Sequence, residues 1–87
     1  MKTVYKYLLS PGMIKLQMPF GAYALSVHEQ SGHAYLWALV DTTRILTERK
    51  FVTVPTGVEF CDDELSYLGT LHMSQDNLVF HVFEDHS

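Results

Sequence analysis

The 87-residue sequence has one cysteine, three prolines and six lysines and arginines in total, and each shortage closes off a class of protein. A lone thiol, Cys61, cannot form an internal disulfide or complete a cysteine-rich zinc site. Flanked by acids that disfavour a reactive thiolate, it reads as an ordinary half-buried side chain, and a chain without disulfides fits a reducing cytoplasm. No run of about 18 apolar residues is present, so no membrane-spanning helix is expected. The Met1–Gly12 stretch has lysines but lacks the apolar core of a signal peptide. Six scattered cations against ten acids give a net charge of −4, which argues against docking on a nucleic-acid backbone. The five glycines fall at expected turns and strand ends, so no glycine-rich phosphate loop exists. Nothing resembles a nucleophile elbow, and the carboxylate runs Asp62-Asp63-Glu64 and Glu84-Asp85 read as exposed. A non-enzymatic protein without a cofactor is the expectation.

What is present is strand signal. A chain this short forms one domain, residues 1–87, and buries only about 60% of its unfolded surface, so modest stability and self-association into a homo-oligomer are expected. Lys2–Leu9 is rich in Val and Tyr and is ended by Ser10-Pro11-Gly12. Met13–Met18 alternates, with Ile14, Leu16 and Met18 on one face. Ala22–Gln30 and His33–Val40 flank Ser31-Gly32, a two-residue hairpin turn with glycine where positive φ is needed. That turn sets Gln30 opposite His33, His28 opposite Tyr35, Ser26 opposite Trp37 and Ala24 opposite Leu39. Phe51–Val54 is a short strand stopped by Pro55, and Thr70–Met73 and Leu78–Glu84 form a last hairpin across Ser74-Gln75-Asp76-Asn77. Asp62–Leu68, with acids at its start, is the one plausible helical piece. The fold class is mainly β: a small antiparallel sandwich or half-barrel of six to seven strands with one short helix.

The alternation also sorts side chains by face. In the central hairpin, Tyr23, Leu25, Val27, Leu36, Ala38 and Val40 read as core. The opposite face carries Ala24, Ser26, His28, His33, Tyr35, Trp37 and Leu39. On a strand this apolar, Trp37 and Leu39 are expected to pack against a second layer. His28, His33 and Tyr35, nearer the turn, are expected to be exposed and, with Trp37, to stack a base or anchor a partner. In the last hairpin, Leu71, Met73, Leu78, Phe80 and Val82 read as core. His72 and His81 fall on its other face as diagonal neighbours, close enough to share an ion or anion. Zinc would need two further ligands, so no metal is expected, and polar residues on a strand face are the simpler reading.

Several short motifs carry a resemblance along nearly the whole chain. They are Met1-Lys2-Thr3-Val4-Tyr5-Lys6-Tyr7, Met18-Pro19, Gly21-Ala22 before Leu25-Ser26-Val27, and Leu36-Trp37-Ala38-Leu39-Val40-Asp41. Arg49-Lys50-Phe51, Thr56-Gly57, Tyr67-Leu68-Gly69-Thr70 and the ending Leu78–Glu84 follow. In their order and spacing the chain resembles a family of small domain-of-unknown-function proteins of tailed bacteriophages and prophages. It departs from that pattern at Pro55-Thr56-Gly57, where the family has Gly-Thr-Gly. The resemblance brings no catalytic residue. It implies a setting: a phage accessory protein that counters host antiviral defence by binding a host immune protein or by sequestering a small nucleotide messenger. Genome setting does not determine function. A virion structural or assembly protein is the alternative reading, and a small enzyme built on His72 and His81 a third.

Overall fold

Strand propensity and turn chemistry divide the chain as its alternation predicts, and the computed structural model describes residues 1–61, 64–75 and 77–87. These form seven strands: β1 Lys2–Leu9, β2 Gly12–Pro19, β3 Tyr23–Gln30, β4 His33–Asp41, β5 Leu46–Pro55, β6 Leu65–Met73 and β7 Leu78–Asp85. All pairings are antiparallel. One sheet has the order β1-β4-β3 and the other β2-β5-β7-β6. The two face each other as a thin open sandwich whose Cα extents are 39 × 31 × 15 Å.

Every strand sends a residue into one core: Leu9, Met18, Val27, Leu36, Phe51, Leu71 and Val82 from β1 to β7 in turn. The sandwich is drawn together along the β3 and β6 edges. There the Glu29 carboxylate accepts hydrogen bonds from the Ser74 amide at 3.2 Å and the Ser74 hydroxyl at 2.8 Å. A second tie is electrostatic. Arg49 of β5 donates two hydrogen bonds to the Glu84 carboxylate of β7, one of them at 3.0 Å, and a third to the Ala22 carbonyl at 2.8 Å. This forked pairing suits the planar guanidinium and joins the four-stranded sheet to the start of β3.

The Ser31-Gly32 turn forms as its sequence demands, with φ of 54° and 82°. It sets Gln30 opposite His33, His28 opposite Tyr35 and Ser26 opposite Trp37, as expected. Beyond Ser26 the expected register fails. Ala24 faces Ala38 and Tyr23 faces Leu39, because Leu25 is an extra residue that bulges out of β3. One inserted residue reverses the alternation, so Ala22 and Ala24 turn to the core. Tyr23 and Leu25, expected inside, are 68% and 48% exposed.

Other expectations change as well. Glu84, expected to be exposed, is buried, and Leu78, expected inside, is 47% exposed. Leu65–Leu68 opens β6 rather than closing a helix, since Leu65 pairs with Asp85 and Tyr67 with Phe83. Two helical turns are marginal in water, and pairing along β7 supplies more; Asp62 and Asp63 lie outside the described residues, as does Asp76. β5 begins at Leu46, well before Phe51, because Glu48, Arg49 and Lys50 pair with Gln17, Leu16 and Lys15 of β2. Cys61 is exposed. Finally, among the described residues no second layer lies over Trp37 and Leu39. The four-stranded sheet occupies the Leu36, Ala38 and Val40 side of β4, which leaves the alternate residues on the outside.

Candidate functional site

That outside is the face to consider. β4 is the middle strand of its sheet, so its outward residues have neighbours on both sides. From β1, Val4 stands opposite Leu39, Lys6 opposite Trp37 and Leu8 opposite Tyr35. From β3, Tyr23 stands opposite Leu39, Ser26 opposite Trp37 and His28 opposite Tyr35. The result is an apolar and aromatic sheet face turned to solvent. Val4 is 49% exposed and Leu8 55%, while Tyr35, Trp37 and Leu39 are half-buried by one another and by these flanks.

The aromatic geometry there is organised. The rings of Tyr35 and Trp37 meet edge-on with centroids 5.8 Å apart, and His28 meets Trp37 edge-on at 6.1 Å. Lys6 crosses β4 from one edge of the sheet to the other. Its Nζ sits 4.6 Å over the Tyr35 ring and donates a 2.8 Å hydrogen bond to Gln30 Oε1. The charge of this lysine is therefore already engaged. His33, exposed at the first position of β4 and opposite Gln30, marks the turn end of the same face.

The four sequence-selected residues of the central hairpin, His28, His33, Tyr35 and Trp37, are therefore brought onto one surface. His72 and His81 are not part of it. They lie on the outer face of the other sheet, where Thr70 opposes His81 and His72 opposes Val79. The His81 ring is held at both nitrogens, Nε2 at 2.7 Å from Thr56 Oγ1 and Nδ1 at 3.2 Å from Thr70 Oγ1. Tyr67 extends the chain with its hydroxyl 2.6 Å from Thr70 Oγ1. This network fastens the segment after β5 onto the sheet, a structural task. Phe60 of that segment packs on Phe83 with ring centroids 5.3 Å apart. Among the described residues, no group of three or more His, Cys, Asp or Glu side chains converges on a metal position. One serine–imidazole contact does occur: Ser66 Oγ lies 2.8 Å from His86 Nε2, both exposed, near the end of the chain.

With this geometry in hand, comparison with known proteins adds one fact. A family model described as Domain of unknown function (DUF7352) matches residues 1–87. The chain belongs to that family. No curated protein matched the DUF7352 chain, and no solved structure did.

Sequence reasoning missed half of this surface. Val4, Lys6 and Leu8 join it because β1 pairs with β4, a long-range register that no local pattern reveals. Tyr23 joins it through the Leu25 bulge. A signal was present in Lys2–Leu9, where apolar residues occupy both faces, as they do in β4. Among the described residues, no helix is long and apolar enough to cross a membrane.

Proposed function

We propose that the protein acts by binding rather than by catalysis, and that the outer face of the β1-β4-β3 sheet is where its partner docks. One observation carries this reading: the Tyr35–Trp37 pair stands half-exposed on a sheet face flanked by the exposed side chains of Val4, Leu8 and Tyr23. Contiguous exposed apolar surface on a small protein marks an interaction site. Tyrosine and tryptophan are also the residues that most often dominate protein interfaces.

A protein partner fits this face better than a nucleotide. The surface is a sheet rather than a cleft, and its central cation, Lys6, is committed to Gln30 and Tyr35. A phosphate group would call for uncommitted cations. The resemblance to proteins of tailed phages and prophages supports the biological setting: a phage accessory protein in the host cytoplasm that occupies a component of antiviral defence.

The test is phage plating on a panel of bacterial strains, each with one defence system, with and without the protein. The expected result is at least a tenfold rise in plating on one strain, abolished by Tyr35→Ala combined with Trp37→Ala in a variant that keeps its β-sheet circular dichroism. Unchanged plating on every strain, together with recovery of the protein from purified virions, would replace this reading with a virion structural role.

A further inference from the structure

A second site lies between the sheets, at the end where three turns meet. A cavity of about 340 Å³ opens there beneath the Ser10-Pro11 corner, the Ser31-Gly32 turn and the β6–β7 hairpin. Its walls are apolar, built from Leu9, Leu71, Met73 and Phe80, with His33 and Ser10 as its polar border. Thr53 of β5 also lines it. Thr53 is 4% exposed, and its Oγ1 has no hydrogen-bond partner on the protein.

A buried hydroxyl is nearly always bonded, so one left without a partner beside a cavity calls for an explanation. We infer that this cavity is a binding site for a small neutral apolar molecule carrying one carbonyl or hydroxyl oxygen, which hydrogen-bonds to Thr53 Oγ1. The volume sits at the lower end of the range for ligand pockets. A cavity of about 150 Å³ holds benzene, so this one accommodates about a dozen non-hydrogen atoms. None of the described lining residues is Lys, Arg, Asp or Glu, which excludes a charged headgroup or phosphate as the buried part. The Thr53 oxygen is itself closed off from solvent. The ligand oxygen meets it after a turn about χ1, and strands accommodate more than one such rotamer. Ala34 lines the cavity, and a leucine there would take up part of its volume.

The test is methyl-detected NMR of the full chain titrated with 2-nonanone. The expected result is saturable shifts at Leu71 and Met73 with Ile45, exposed before the start of β5 and outside the cavity lining, unmoved. Thr53→Val keeps the side-chain shape, removes the hydroxyl and should weaken binding roughly tenfold. Ala34→Leu should abolish it, while Tyr35→Ala with Trp37→Ala should leave it unchanged, so this site and the docking face stand or fall separately. The inference is overturned by an absence of saturable shifts in the parent protein. It is equally overturned by binding that survives Ala34→Leu, or by equal affinity in a folded Thr53→Val variant.

Discussion

Single side chains account for much of what holds this small sandwich together. The Arg49 and Glu84 side chains are only 21% and 10% exposed, so each depends on the other. Removing one partner strands a mostly buried charge, a loss of about 3–5 kcal/mol for a fully buried pair. Glu84→Gln should accordingly lower stability by about 3 kcal/mol in urea unfolding, and pairing Arg49→Met with Glu84→Leu should recover part of that loss. An unchanged urea midpoint for Glu84→Gln would show the pair to be dispensable. Thr53→Val, in the absence of ligand, should raise stability by about 1 kcal/mol, because it removes an unsatisfied hydroxyl. At Asp41, hydrogen bonds from the Thr43 hydroxyl and then its backbone N–H hold the carboxyl below its usual range. A depressed pKa means that the contribution is complete above the ordinary carboxylate value and is lost as pH falls through the folded one. Thr43→Ala should therefore move the Asp41 titration upward, which carboxyl-carbon NMR would detect. The Arg49–Glu84 partnership was not legible in the sequence, since the two residues stand 35 positions apart.

Among elements, two bulges decide which residues face where. Leu25 in β3 and the irregularity between Tyr67 and Gly69 in β6 lie on the neighbouring edges of the two sheets. A Cβ at Gly69 would come within 2.6 Å of Val27 Cγ2, so glycine lets these edges approach. Gly69→Ala should overpack the contact and destabilise the fold by about 1–3 kcal/mol, measurable by thermal unfolding. The elements themselves were readable. The Ser31-Gly32 turn dictated the β3–β4 hairpin, and alternation located β2. The pairing of Leu71 with Phe80 and of Thr70 with His81 also followed from the last hairpin's loop. Alternation has no term for an inserted residue, which is why Tyr23 and Leu25 were assigned inward. Local propensity likewise reads Asp62–Leu68 as helical, and only β7, encoded later in the chain, makes strand the better choice for Leu65–Leu68.

For the whole molecule, seven strands are too few to cover both sides of both sheets. The Phe60 segment packs over part of the four-stranded sheet, while the aromatic face of the three-stranded sheet is left to solvent. The sequence placed His28, His33, Tyr35 and Trp37 together but assigned Trp37 a cover, because a small β domain usually has one. Without such a cover among the described residues, an ordinary central strand becomes a candidate interface. Native mass spectrometry of the protein and its Tyr35→Ala/Trp37→Ala variant, each purified from defence-active bacteria, tests this most directly. The account is supported if the parent protein retains one host polypeptide in fixed stoichiometry and the folded variant retains at least tenfold less. It is contradicted if both retain the same partner equally, or if the parent carries only a second copy of itself or a nucleotide.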